Sequence, residues 1–185
     1  MIKEAEMHVK IQNVVASVTM PHNIDLIAVV RAFPEVEYRS KQFPGICFKL
    51  KKPKTATLIF GSGKMVCTGA NSEKQAKKAV NKVIQELKSK GIVILGEPEI
   101  KIQNIVASAS LGGRIDLERM VYSLRRIIYE PEQFPGAVYR MDDPKVVFLI
   151  FNSGALVITG AKKEEEVYRA VKKLQKTLEE NDLIQ

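Results

Sequence analysis

The 185-residue chain has no tryptophan, only two cysteines and two histidines, and few aromatic residues, 6 % of the total. Two thiols cannot make a disulfide framework, which excludes a small secreted scaffold. The longest unbroken apolar run, Val146 to Phe151, has six residues, whereas a helix needs about 20 to cross a bilayer. The opening Met1-Ile2-Lys3-Glu4-Ala5-Glu6 mixes charges and lacks an apolar core. No secretory leader is therefore expected, no membrane partner either, and an intracellular, reducing location is the natural reading. Reactive constellations are equally scarce. His8 and His22 are not spaced as metal ligands with cysteines or acids, and Cys47 and Cys67 lack a Cys-x-x-Cys context and read as small buried side chains. Gly61-Ser62-Gly63-Lys64 lacks the G-x-x-x-x-G-K-S/T spacing of a phosphate-binding loop. Gly112-Gly113 and Asp142-Asp143-Pro144 read as turns. The expectation is a protein that is not an enzyme, with no metal and no cofactor.

What the chain has is charge of one sign. Lysine and arginine number 29 against 21 acids, a net of +8. Residues 1–91 carry 16 basic and 7 acidic side chains, whereas 92–185 carry 13 and 14. Such a balance suits a polyanionic partner, nucleic acid above all. A basic protein without such a partner has the same composition.

It also has an internal repeat. Val9-Lys10-Ile11-Gln12-Asn13-Val14-Val15-Ala16-Ser17 returns 91 positions later as Ile100-Lys101-Ile102-Gln103-Asn104-Ile105-Val106-Ala107-Ser108. The same offset carries Gln42-Phe43-Pro44-Gly45 onto Gln133-Phe134-Pro135-Gly136, Leu58-Ile59-Phe60 onto Leu149-Ile150-Phe151, and Thr68-Gly69-Ala70 onto Thr159-Gly160-Ala161. No gap is needed, and 32 of the 86 pairs from 9/100 to 94/185 are identical. The period is too long for a solenoid. Two copies of one fold are expected, 1–91 and 92–185, joined in one continuous domain with pseudo-twofold symmetry.

Each copy reads alike. A β-rich segment at 8–18 precedes helical spacing at 24–33 (Ile24, Ile27, Val30), repeated by Ile115, Met120, Val121 and Leu124. Strands are expected near 36–41, 46–51, 55–60 and 64–68, with a tight turn at Phe60-Gly61-Ser62-Gly63-Lys64 copied at Phe151-Asn152-Ser153-Gly154-Ala155. Ser72-Glu73-Lys74-Gln75 has the form of a capping box and opens a helix whose stripe is Ala76, Ala79, Val80, Val83, Ile84 and Leu87. Its copy starts on Lys162-Lys163-Glu164-Glu165-Glu166, with acids where the helix dipole favours them, and buries Val167, Ala170, Val171, Leu174 and Leu178. The strands do not alternate cleanly: Ala56, Leu58 and Phe60 share one face and Ile59 lies on the other, and Val146 to Phe151 is apolar on both. If the two helices of a copy pack on one sheet face, the other stays open and apolar, as binding surfaces are. The alternatives are helices on both faces or a dimer burying the second face.

The Gln-Asn-Val/Ile-Val-Ala-Ser strands, the Phe-Pro-Gly turns, the Leu-Ile-Phe-x-Ser-Gly strands and the Thr-Gly-Ala endings, each present twice, resemble the TATA-box-binding protein family over about residues 8–180. The short N-terminus and two-repeat length resemble its archaeal form. The resemblance implies an α+β fold, a tandem-duplicated saddle. Two β-α-β-β-β-β-α halves would form a continuous curved antiparallel sheet, with the helices on its convex face. It implies a general transcription initiation factor that binds the minor groove of double-stranded promoter DNA at a TATA element and recruits transcription factor B and, through it, RNA polymerase. Apolar wedging into base steps is a mode of minor-groove binding for which this family is a standing example. Phe43 with Phe60 and Phe134 with Phe151 match the wedges. Asn13 and Asn104 match residues that hydrogen-bond base edges, with Thr68 and Thr159 beside them, and Val15, Val106, Leu58, Leu149, Val66 and Val157 match the apolar floor. Lys49, Arg140, Ser62, Ser153 and Lys64 match phosphate contacts, although Ala155 stands where a partner of Lys64 would. Glu130 and Glu132 match the acids that dock factor B, whereas Gln133 replaces a more apolar residue. Lys74, Lys78 and Lys82 read as a solvated helix face or a docking site for regulators or flanking DNA, and Lys51, Lys52 and Lys54 as a solvated strand end or a cluster that steers DNA. Two rival classes remain: a base-excision glycosylase with a saddle-like domain, whose helix-hairpin-helix the 185 residues do not contain, and a scaffold whose DNA-free form is a homodimer.

Overall fold

A computed structural model describes residues 8–185. The elements run β1 (Lys10–Thr19), α1 (Leu26–Ala32), β2 (Gly45–Lys51), β3 (Lys54–Phe60), β4 (Lys64–Ala70), α2 (Glu73–Ser89), β5 (Glu99–Ser110), α3 (Leu117–Ser123), β6 (Ile127–Ile128), β7 (Ala137–Met141), β8 (Val146–Ile150), β9 (Ala155–Ala161) and α4 (Glu164–Glu180). They gather into two compact units. One is Asn13–Gln103, and the other is Asn104–Gln185 with the described residues up to Gln12.

In the first unit β2 pairs β3, β3 pairs β4 and β4 pairs β1, all antiparallel. In the second, β6, β7, β8, β9 and β5 pair in that order, again antiparallel. The second unit has the expected β-α-β-β-β-β-α order. The first departs from it, because the strand expected at 36–41 shrinks to a single bridge, Glu37 to Cys47. That bridge keeps the register of Ile128 with Val138 in the second unit. The sequence explains the difference: Ile127-Ile128 is β-branched, whereas Val36-Glu37 follows Pro34 and includes a residue that strands disfavour.

Helix ends follow local chemistry. Asp25 accepts the Ala28 N–H at 3.1 Å and Asp116 the Arg119 N–H at 3.0 Å, starting α1 and α3. Ser72 accepts the Gln75 N–H at 3.0 Å and Gln75 Oε1 accepts the Asn71 N–H at 2.8 Å, so the capping box at α2 forms with its return bond one residue early. The start of α4 has no side-chain cap but three glutamates in its first turn.

Along the strands buried and half-buried residues alternate. Ile46, Phe48, Ile59, Met65 and Cys67 are buried with the α2 stripe Ala76, Ala79, Val80, Val83 and Leu87, and the ring of Phe33, which ends α1, meets Phe48 edge-on at 5.0 Å. In the second unit Phe148, Ile150, Leu156 and Ile158 are buried with Val167, Ala170, Val171, Leu174 and Leu178 of α4. Each Val, Leu, Ile, Phe or Met among them contributes about 1.5–3 kcal/mol on burial. The helices thus cover one face of each sheet, and the opposite face keeps Val15, Leu58 and Val66 in one unit, and Val106, Leu149 and Val157 in the other, only half-buried.

Candidate nucleic-acid interface

Strand pairing sets the residues of the open face in rows. Cys47, Leu58, Val66 and Ser17 are register partners across β2, β3, β4 and β1, and Val138, Leu149, Val157 and Ser108 form the matching row. The next row is Lys49, Ala56 and Thr68, matched by Arg140, Val147 and Thr159. Directly opposed residues of a sheet point to the same face. Each unit therefore presents an apolar floor with one cation, Lys49 or Arg140, exposed at its rim. Ser62 and Ser153 are exposed in the turns, and Lys64 is exposed at the start of β4.

The phenylalanines sit beside that floor. Phe43 and Phe134 are each 41 % exposed, a large apolar surface to leave in water. Phe43 meets Phe60 at a centroid distance of 5.5 Å and 65°, and Phe134 meets Phe151 at 5.8 Å and 66°. These are favourable edge-to-face contacts, and they hold the rings in place without burying them. Each contact depends on a glycine. A Cβ on Gly45 would lie 3.0 Å from Phe43 and 3.1 Å from Phe60, and one on Gly136 would lie 2.9 Å from Phe134 and 3.0 Å from Phe151. The glycines of the two Phe-Pro-Gly repeats thus carry a role that the sequence reading left unassigned.

The asparagines are held by a second repeated device. The β1–β4 register shifts between Val14 and Ala16, which pair with Ala70 and Cys67, so Thr68 and Gly69 together oppose Val15. This is a β-bulge, and Gly69 takes φ +101°, a conformation open to glycine but strained for other residues. The Gly69 N–H donates to Asn13 Oδ1 at 2.7 Å, and Asn13 Nδ2 donates to Thr68 Oγ1 at 3.1 Å. In the other unit Thr159 and Gly160 oppose Val106, Gly160 has φ +102°, and the distances to Asn104 are 2.7 and 3.2 Å. The repeated Thr-Gly-Ala signalled these positions, but only its threonines had been assigned a task.

Glu130 and Glu132 are exposed in the loop before Phe134, where the Phe134 N–H donates to Glu130 O at 3.0 Å. Lys74, Lys78 and Lys82 line a groove with Lys51, Lys52 and Lys54, so the helix stripe and the strand end read separately in the sequence lie together. Burial pushes the Cys67 thiol above its ordinary pKa, away from nucleophilic chemistry. Among the described residues no group of three histidine, cysteine or acidic side chains is placed to hold a metal, and no helix is long and apolar enough to cross a membrane.

Known proteins match this architecture. The family model described as transcription factor TFIID (or TATA-binding protein, TBP) matches twice, at residues 8–90 and 99–181. The TATA-box-binding protein of Sulfurisphaera tokodaii is 53 % identical over 176 residues, 95 % of this chain and 89 % of that one. That of Methanothermobacter thermautotrophicus is 51 % identical over 179 residues, 97 % and 99 % of the two chains. The solved structure of Methanococcus jannaschii TBP superposes with a TM-score of 0.85 at 52 % identity, covering 93 % of this chain and 98 % of that one. A transcription-factor model on each repeat, half of all residues shared with archaeal relatives and a common α+β fold converge on one assignment: the chain belongs to the TATA-box-binding protein family.

Proposed function

We propose that the chain is a general transcription initiation factor that binds TATA-type promoter DNA through the minor groove, using the open face of each unit. The observation that carries this reading is the duplication of one complete constellation: a phenylalanine pair with one ring exposed and one half-buried, a bulge-held asparagine beside a threonine, an apolar floor and a rim cation. In this reading Phe43, Phe60, Phe134 and Phe151 wedge into base steps and unstack them, which is cheapest at flexible TA-type steps. The rings are already placed by their edge-to-face contacts, so little side-chain freedom is lost on binding. Asn13 and Asn104 donate to the N3 and O2 acceptors that A·T and T·A pairs both offer in the minor groove. Thr68 and Thr159 contact the bases beside them, and Val15, Leu58, Val66, Val106, Leu149 and Val157 lie flat against them. Lys49, Arg140, Lys64, Ser62 and Ser153 contact phosphates. Glu130 and Glu132 dock transcription factor B, which brings RNA polymerase.

The test is a fluorescence bend assay on two duplexes, one with a central TATA element and one with that element replaced by G·C pairs, at two salt concentrations. Tight binding with a bend on the TATA duplex alone is expected. Weak, salt-sensitive binding to both without a bend would leave only a polyanion binder. Salt-insensitive dimers without DNA affinity would favour the homodimer instead.

A further inference from the structure

A primary amide is nearly symmetric in shape but not in chemistry: one end donates two hydrogens and the other only accepts. An asparagine free to turn about its last bond offers a ligand either end. Asn13 and Asn104 are not free. The N–H of Gly69 and that of Gly160 each aim at Oδ1 from 2.7 Å. A main-chain N–H cannot reverse its role, so it fixes which end of the amide faces it. These two N–H groups are available because the bulge sets Thr68 with Gly69 opposite Val15, and Thr159 with Gly160 opposite Val106.

We infer that Gly69 and Gly160 are specificity-determining residues, which lock the Asn13 and Asn104 amides so that each turns Nδ2, and not Oδ1, toward the minor groove. This rests on the minor-groove reading above. Every base pair offers acceptors there, but only G·C adds a donor, the guanine N2 amino group. An amide held with its donors outward suits A·T and T·A alike. Against guanine it sets donor to donor. Thr68 Oγ1 and Thr159 Oγ1 each commit one of two lone pairs to Nδ2. Val15, Leu58 and Val66, with their counterparts Val106, Leu149 and Val157, have no side-chain acceptor, so a single threonine lone pair per unit is what these residues leave to meet a guanine amino group. An amide able to swivel would turn Oδ1 to the guanine and give up the discrimination. The bulge thus acts on selectivity without touching the DNA.

The test must remove the N–H without adding a side chain, since φ near +100° strains any other residue at these positions and a Cβ at Gly69 would crowd Lys54 O at 3.1 Å. Glycolic acid at positions 69 and 160, introduced into the full chain by in vitro translation with a suppressor tRNA, replaces each amide by an ester. The readout is the ratio of dissociation constants for a TATA duplex and for the same duplex with G·C at the central steps, with thermal melting as the check on folding. The double ester is expected to hold the TATA duplex within about threefold of wild type and to lose about tenfold or more of the ratio, the scale of one base-pair preference. A ratio unchanged within about twofold overturns the inference. Asn13→Asp with Asn104→Asp is the second variant and decides the matter if the ester protein does not fold. One carboxylate oxygen keeps the glycine N–H and the other faces the groove as an acceptor, so the ratio should move about tenfold or more toward G·C. A wild-type ratio there also overturns the inference. Asn13→Ala with Asn104→Ala separates the two levels. If it leaves TATA affinity unchanged, the base-contact reading fails and the lock with it. If it weakens TATA binding while the ester keeps its ratio, the lock alone fails.

Discussion

The two units share a backbone and differ in charge. In the turn before the exposed phenylalanine, the Phe43 N–H donates to Arg39 O at 2.9 Å and the Phe134 N–H to Glu130 O at 3.0 Å. The turn is the same, but Arg39 and Lys41 stand in one and Glu130 and Glu132 in the other. At the hairpin tips, Lys82 Nζ donates to Lys52 O at 2.6 Å and Lys173 Nζ to Asp143 O at 2.5 Å. Asp142 and Asp143 pair with Arg126 and Arg169, the latter at 3.3 Å. Lys51 and Lys52 occupy the same places in the first unit, where Lys74 and Lys78 share their groove. The elements that repeat are those held by contacts that tolerate one residue type, such as Gly45 between two rings or Gly69 in its bulge. The elements that differ are exposed charges, which contribute about 0–1 kcal/mol each to folding and are cheap to exchange. A repeated floor suits a ligand with two similar halves, and unlike rims suit partners that meet one unit only.

The comparison can be broken at several levels. The largest effect is expected at the rings. Phe43→Ala with Phe60→Ala, and Phe134→Ala with Phe151→Ala, should each remove most of the DNA bend read by energy transfer between duplex ends, whereas Lys52→Ala leaves it intact. If only one pair matters, the units are not equivalent where their geometry says they are. Next comes the rim. Glu130→Lys with Glu132→Lys should lower recruitment of transcription factor B to the DNA complex about tenfold or more in a gel-shift titration, and Arg39→Glu with Lys41→Glu should leave it near wild type. Equal losses would show that factor B does not distinguish the two rims.

Smaller effects are expected in the folded chain itself. Thr57 is fully buried and its Oγ1 has only the weak Cys67 thiol across the strand as a neighbour to bond, while the matching position in the second unit is Phe148, also fully buried. Thr57→Val keeps the shape and removes this poorly partnered hydroxyl, so denaturant unfolding should show a gain of about 1 kcal/mol. A loss would mean that the Cys67 thiol or a water satisfies the hydroxyl. The smallest effect concerns Asp142. Its hydrogen bond from Arg126 and the charge of that guanidinium hold its carboxyl below the ordinary value of 3.8, with Lys145 and Lys173 adding to the pull. A carboxyl lowered in the folded state adds stability that is in place above its ordinary pKa and disappears as the pH falls through the lowered one. Asp142→Asn should therefore melt slightly earlier than wild type at pH 7 and together with it in strong acid. An offset of the same size at both pH values would assign the effect to shape.

Much of this was legible in the sequence. The 91-residue offset located the phenylalanines and the strand asparagines, and the Ser72-Glu73-Lys74-Gln75 pattern located the capping box that the second copy lacks, because repeats, polar caps and helical stripes are readable along the chain. The open apolar face was legible only as one of three readings: Leu58 and Ile59 in β3 cannot both point at one layer of helices, but a second helix layer or a dimer could have covered the other face. The strand expected at 36–41 was not resolved, because Val36-Glu37 and Ile127-Ile128 differ by propensities too weak to fix a strand length. The roles of Gly45 and Gly69 were hidden for another reason. A glycine's contribution is the side chain it lacks, and only a ring or a carboxamide brought in from 15 to 56 positions away makes that absence meaningful. The charge reversal between Arg39 and Glu130 was printed in the sequence, yet it became a comparison only once both were seen in the same turn.

The row formed by Cys47, Leu58, Val66 and Ser17 has a practical consequence. Cys67 is sealed in the core with its thiol held protonated by burial, whereas Cys47 is half-open on the apolar floor. The molecule therefore carries one accessible thiol, and it lies where a duplex is proposed to rest. Reaction with iodoacetamide turns that sulfur into a footprint: the rate of carboxamidomethylation reports whether the floor is covered, without a dye, a tag or an engineered residue.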